Sequence, residues 1–211
     1  MSFKLLIFDC DGVLVDSEPV ANRIFTGALN RIGLDMTYED VCRGFTGLSM
    51  ATCIERIEER LGRSVPEGFV DALQAETFAA FRSDLKVIPG IVRLLDELEI
   101  PSCVATSGEP EKAELTLGVT GLLQHFKGRI FSSHQVKRGK PAPDLFLYAA
   151  KEMNTLPVDC AVIEDSLPGV QAASAAGMTV FGFAPESNGA DLASAGARVF
   201  TQMSQLGELL Q

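Results

Sequence analysis

The sequence predicts an α/β fold, a parallel sheet covered on both faces by helices and interrupted by an all-helical insertion, and three observations predict it. Short apolar runs recur and end at polar or acidic residues, helical patterns lie between them, and residues 17–84 carry helix signals without a strand signal. The first run, Leu5-Leu6-Ile7-Phe8, stops at Asp9. A continuous apolar run of this length reads as a strand buried on both faces, whose carboxyl end delivers acidic groups to a surface. The insertion follows. Ser17 with Pro19 marks a helix start, Val20, Ile24, Ala28 and Ile32 form its apolar stripe, and Gly33 ends it. Ser49 reads as the N-cap of a helix carrying Ile54, Ile57 and Leu61 that stops at Gly62, and Pro66 opens another with Phe69, Leu73 and Phe81. The alternation resumes at Pro89-Gly90, which opens a helix with Ile91, Leu94, Leu95 and Leu98 on one face. Strands are predicted over 102–105, 129–131, 160–163 and 179–183, ending respectively at Thr106, at Ser132, at Glu164-Asp165 and beyond Phe183, with helices over 144–153 and 168–176. Such alternation puts a ligand site outside the carboxyl ends of the strands. Chain entry and exit at 16–18 and 84–89 are the expected hinges.

Composition excludes several function classes. A 211-residue chain that is 46% hydrophobic buries a substantial core, and a net charge of −10 without any concentration of Lys and Arg disfavours nucleic acid and anionic membrane as partners. The apolar run before Asp9 is too short for a signal peptide or a membrane span, so a soluble cytoplasmic protein is expected. The five cysteines are scattered, which suggests neither a disulfide framework nor a zinc site, and the two histidines, His125 and His134, lack metal-ligand spacing. No Gly-x-Ser-x-Gly elbow and no complete nucleotide-binding P-loop is present.

The chemistry gathers at the strand ends. Asp9-Cys10-Asp11-Gly12 places two carboxylates two positions apart, followed by a Gly that lets the backbone turn. Alone, this is equally a solvated Asp-Gly turn. Glu164-Asp165 follows a comparable apolar run, and a doubly wound sheet brings at least three carboxylates to one rim, where their repulsion demands a cation. Oxygen-only ligation points to magnesium. Thr106, Ser107 and Gly108 supply a hydroxyl and backbone donors, and Lys140 supplies a point charge, which is what a phosphate needs. Singly, such a Thr is usually a cap and such a Lys usually surface. Cys10 is read as packing, since alternation along the strand turns it away from Asp9, and Phe8, Phe45, Phe126 and Phe146 are read as core.

Four segments in order, 9–17 (Asp-Cys-Asp-Gly-Val-Leu-Val-Asp-Ser), 104–107 (Val-Ala-Thr-Ser), 140–144 (Lys-Pro-Ala-Pro-Asp) and 163–169 (Ile-Glu-Asp-Ser-Leu-Pro-Gly), closely resemble the motifs of the haloacid dehalogenase superfamily. The likeness extends over essentially the whole chain, in the helical-cap branch that holds beta-phosphoglucomutase and sugar-phosphate and 6-phosphogluconate phosphatases. It implies a Rossmann-like core over 1–16 and 85–211, and a mobile helical cap at 17–84 that sets substrate choice. It further implies that Asp9 attacks phosphorus and forms an aspartyl-phosphate, that Asp11 moves protons, and that Thr106 and Lys140 stabilise the phosphoryl oxygens with the amides around Cys10, Asp11, Ser107 and Gly108. Magnesium is then held by Asp9, the backbone carbonyl of Asp11 and Asp165, with Glu164 contributing directly or through water.

Within that family the presence of Asp11 disfavours dehalogenation, because dehalogenases lack an acid there. The mutase carries a His on the first cap helix and a basic pair around the cap loop. Here the helix reads Glu18-Pro19-Val20-Ala21-Asn22-Arg23, and Thr46 and Met50 stand where the basic pair is aligned. Loss of those cations favours release over reorientation of a bisphosphate. The expectation is therefore a phosphatase acting on a small phosphorylated metabolite, working as a monomer, with Arg43, Thr46, Leu48 and Arg23 as substrate-selecting candidates. A beta-phosphoglucomutase-like mutase and a non-catalytic phosphometabolite-binding protein are the alternatives.

Overall fold

The computed structural model describes residues 3–210. Its strands are β1 (Leu5–Phe8), β2 (Val15–Asp16), β3 (Lys86–Val87), β4 (Ser102–Thr106), β5 (Ile130–Ser132), β6 (Cys160–Glu164), β7 (Thr179–Phe183) and β8 (Arg198–Phe200). The helices are α1 (Glu18–Arg31), α2 (Tyr38–Phe45), α3 (Met50–Leu61), α4 (Phe69–Asp84), α5 (Ile91–Glu97), α6 (Pro110–Val119), α7 (Leu123–Phe126), α8 (Asp144–Glu152), α9 (Leu167–Ala175), α10 (Ala190–Ser194) and α11 (Met203–Leu209). The chain divides into two compact units, one made of Met1–Asp16 with Lys86–Gln211 and the other of Ser17–Leu85.

The first unit is a six-stranded parallel sheet in the order β5-β4-β1-β6-β7-β8, the Rossmann-like arrangement that the strand–helix alternation predicts. From β1 the chain steps to β4 on one side and, after β5, crosses to β6 on the other, so the direction of winding reverses at β1. A crevice opens outside the strand ends at such a reversal. All four residues of β1 are fully buried because both faces of the strand are covered. Leu5 and Ile7 join Cys103, Ala105, Leu145, Phe146 and Val170 in one cluster. Phe8, pointing the other way, meets Phe126 of α7 edge to face at 6.0 Å. Burial of this kind contributes about 1.5–3 kcal/mol per large apolar side chain.

The second unit packs around Phe25, Leu29, Val41, Phe45, Ile57 and Leu73. The apolar stripe of α1 differs from the expected one. Val20 and Ala28 are buried as predicted, but Phe25 and Leu29 take the inner positions while Ile24 and Ile32 lie at the margin. The larger Phe25 ring wins the interior through an edge-to-face contact with Phe45 at 5.3 Å. Ser49 caps α3 by accepting from the amide of Thr52, as its position predicts. Helix α4 starts at Phe69 rather than Pro66, because Gly68 intervenes with φ +75° and breaks the turn. Besides β8, α6, α7, α10 and α11, which the sequence reading does not register, two features are additional to it. Helix α2 is opened by a reciprocal capping box between Thr37 and Asp40, and β2 pairs antiparallel with β3 at Asp16↔Lys86 and Val15↔Val87. The latter pairing lies at the two expected hinge segments. Among the described residues no helix is long and apolar enough to cross a membrane.

Candidate active site

Parallel pairing brings the carboxyl ends of β4, β1 and β6 side by side, and with them Thr106, Asp9 and Glu164. Asp9 follows directly on β1, its amide donating to the carbonyl of Ile163 at 2.9 Å, so the sheet ladder fixes its backbone. The chain then turns sharply through Gly12, at φ +79°. A Cβ on Gly12 would fall 2.0 Å from Oδ2 of Asp165, so the absent side chain is what lets the turn after β1 and the carboxylate after β6 approach.

Asp9, Glu164 and Asp165 each present a carboxylate oxygen within 4.8 Å of the others. Asp9 is 8% exposed and Glu164 fully buried. Lys140, 4% exposed at its side chain, sits among them. Its ammonium donates to Oδ1 of Asp9 at 2.6 Å, to Oε1 of Glu164 at 2.6 Å and to the carbonyl of Ala105 at 3.1 Å. An ammonium has three hydrogens, and all three have protein acceptors here. Lys140 thus organises the two acids, a tighter engagement than the open phosphate contact expected of it. The other oxygen of Glu164 accepts from both the amide and the hydroxyl of Ser166, at 2.9 and 2.8 Å. Glu164 is therefore held at both oxygens.

Electrostatics follow from burial. Desolvation pushes the Asp9 carboxyl up from its ordinary 3.8 to about 7; the Lys140 charge works against this, and the neighbouring Glu164 and Asp11 add to it. Burial also opposes the Lys140 ammonium, yet Asp9 and Glu164 outweigh it and hold its proton more firmly than in water. Cys10 packs inward with Sγ 3.8 Å from the Thr116 hydroxyl, and desolvation followed by the charges of Asp11 and Asp9 drives its thiol well above the usual range. A thiol kept protonated is no nucleophile.

The loop after β4 is braced. The Thr106 hydroxyl accepts from the Gly108 amide at 3.0 Å, Ser132 donates to the Gly108 carbonyl at 2.6 Å, and Ser133 to the Ser107 carbonyl at 2.8 Å. The Gly108 amide, expected to face an anion, is instead bonded within its own loop. Thr106 accepts in that bond, so its hydroxyl hydrogen remains to be aimed elsewhere. The Asp11 carboxylate is paired with Lys112 of α6 at 2.8 Å. Lys112 escapes the sequence reading, and Ser166 enters it only as part of the 163–169 segment, without a role of its own. Asp11 and Lys112 are 101 positions apart and no local spacing links them, whereas Ser166, next to Glu164-Asp165 at the cap of α9, carries a readable N-cap signal.

The remaining candidates belong to the helical unit. Arg43 is exposed in the last turn of α2. Thr46 accepts from Asn22 at 3.3 Å, Leu48 packs against the unit's own apolar core, and Arg23 is paired with Asp84.

Comparison with known proteins adds an independent line. A family model described as haloacid dehalogenase-like hydrolase matches residues 3–177. The chain is 32% identical over 207 residues to a 6-phosphogluconate phosphatase of Escherichia coli (strain K12), covering 98% of this chain and 94% of that one. It is 35% identical over 180 residues to a fructose-1-phosphate phosphatase of the same organism, covering 82% and 92%. Among solved structures it is similar to a HAD family hydrolase from Deinococcus radiodurans R1 with bound phosphate and sodium, at a TM-score of 0.82 and 32% identity over 99% of this chain and 95% of that one.

Proposed function

Because the chain belongs to the haloacid dehalogenase-like hydrolase family, we propose that it is a magnesium-dependent phosphatase that hydrolyses a small sugar phosphate or sugar-acid phosphate through an aspartyl-phosphate on Asp9. The observation that carries this reading is the buried Asp9 carboxylate at the winding reversal, held by Lys140 at 2.6 Å beside Glu164 and Asp165. The two phosphatases to which it is similar act on phosphorylated sugars and sugar acids by name, which supports the substrate class.

In the first step an Asp9 oxygen attacks phosphorus, the bond from phosphorus to the sugar oxygen breaks, and Asp11 delivers a proton to that oxygen as it leaves. In the second, water attacks the same phosphorus, Asp11 takes the water's proton, and Asp9 departs as a carboxylate with inorganic phosphate released. Lys140 keeps the Asp9 carboxylate in one orientation throughout, and the Thr106 hydroxyl donates to a phosphoryl oxygen. Three acids gathered within 4.8 Å, two of them bonded by Lys140, with Asp9 driven up to about 7, suit a further cation. Asp9, Asp165 and the Asp11 carbonyl would hold magnesium, with Glu164 behind them, and its charge would screen the nucleophile from the phosphoryl oxygens. Substrate choice is assigned to the helical unit, through Arg43 and Thr46 before Leu48, since Leu48 serves that unit's core.

The test is phosphate release from a panel of phosphorylated sugars and sugar acids, with and without magnesium, against Asp9→Asn. Magnesium-dependent release abolished in Asp9→Asn is the expected result. Isomerised product that appears only with a bisphosphate primer, and no free phosphate, would replace it with a mutase.

A further inference from the structure

The two acids of the Asp9-Cys10-Asp11 segment are held by different lysines. Lys140 takes Asp9, while Lys112, the third residue of α6, takes Oδ2 of Asp11 at 2.8 Å. The second pair is three-quarters enclosed, with side chains 28% and 27% exposed, so it is neither a solvated surface bridge nor a sealed one. It also converges on the phosphate loop. A Cβ on Gly108 would touch Oγ1 of Thr106 at 3.4 Å, Cδ of Lys112 at 3.5 Å and Oδ2 of Asp11 at 3.9 Å. The Asp11 backbone is set by its bridge to Val15 and by the Gly12 turn, but its carboxylate could still rotate about two side-chain bonds.

We propose that Lys112 is a positioning residue for the proton-transfer step: by holding Oδ2 of Asp11 beside Thr106 and Gly108, it fixes Oδ1 as the oxygen that exchanges the proton with the leaving group. The inference rests on the reading of Asp11 as proton carrier given above. Bonding one oxygen of a carboxylate to a charge-assisted donor leaves the other with a defined direction, and a misdirected acid loses most of the benefit of proximity. Nothing in the role requires Lys112 to touch the substrate.

Leaving-group dependence separates this role from a merely structural one. A sugar alkoxide needs a proton to leave; p-nitrophenolate does not. In the magnesium-loaded protein, kcat/KM reports the steps up to aspartyl-phosphate formation and is measured for the best sugar phosphate of the panel and for p-nitrophenyl phosphate. Asp11→Asn sets the scale, with an expected loss of about 10²–10⁴ on the sugar phosphate and only a few-fold on the aryl ester. Lys112→Met and Lys112→Gln are expected to lose roughly 10–100-fold on the sugar phosphate and less than about threefold on the aryl ester, the smaller part of the general-acid contribution, with Lys112→Arg in between. Equal losses on both esters, or no loss on either, would overturn the proposal. Asp11→Asn without any leaving-group preference would overturn the parent assignment of Asp11, and that failure is read from a different variant. Circular dichroism and Tm of the three Lys112 variants identify a folding defect, which would lower both esters together.

Discussion

At the scale of single residues, Lys140 carries the largest local consequence. Removing its charge in Lys140→Met leaves Glu164, which is fully buried, facing Asp9 with no ammonium between them. Breaking a buried pair by deleting one partner costs about 3–5 kcal/mol, and urea denaturation of the metal-free variant should show a loss of that size together with loss of phosphatase activity. Asp9 gives a pH signature. Its carboxyl lies at about 7 in the folded protein against an ordinary 3.8, so between those values the folded chain holds a proton that the unfolded chain has released. The associated stability is complete below about 4 and is lost as pH rises through 7. In chelator, the stability of the wild type relative to Asp9→Asn should therefore fall from pH 5 to pH 8, and a flat difference would contradict the burial argument. The acids at the ends of the two apolar runs were legible in the sequence because hydrophobic runs that stop at carboxylates are local patterns. Lys112 was not, because its meaning depends on a partner 101 positions away.

At the scale of elements, α9 is tied to the end of β6 by the Ser166 cap and by the close approach of Gly169. A Cβ on Gly169 would lie 1.8 Å from Oε1 of Glu164, the oxygen that receives Lys140. Gly169→Ala therefore forces either the start of the helix or the Glu164 carboxylate to move. Overpacking of this kind costs about 1–3 kcal/mol, and it should lower activity more than Ser49→Ala, which loses only the α3 cap at about 1 kcal/mol; thermal denaturation and phosphate release on the two variants check the contrast. Strand length explains the plainest sequence signals: β1, β4 and β6 are four or five residues long and wholly buried. The two edge strands, β5 and β8, are three residues each, and only β5 is read from the sequence. Helix α2 combines the Thr37–Asp40 capping box with Val41 and Phe45 buried four positions apart, in a run of only eight residues. The stripe of α1 went to Phe25 and Leu29 because tertiary packing, not spacing alone, chose between adjacent apolar residues.

At the scale of the whole molecule, the helical unit leaves and rejoins the sheet unit at a paired position, Asp16 opposite Lys86. Antiparallel partners are what a two-residue turn joins. Replacing 17–85 by Asn-Gly should therefore leave a folded sheet unit with a cooperative unfolding transition, its six strands intact. Retained turnover of p-nitrophenyl phosphate with loss of discrimination among sugar phosphates would support the assignment of substrate choice to the helical unit. An aggregated or molten product would instead show that the sheet needs the insertion to fold.

The strand order also has a consequence in time. β1 lies between β4 and β6, so it gains its second neighbour in the sheet only after β6 has been made. At about 5–20 residues per second, on the order of ten seconds separate emergence of Asp9 from that of Glu164, and during that interval a strand built for burial on both faces has at most one neighbour. Until β6 emerges, the nascent chain thus holds β1 and Asp9 without their second flanking strand, which makes this interval the one in which a holdase is most needed. A chain cut short before Cys160 leaves Asp9 without Glu164 and Asp165 beside it.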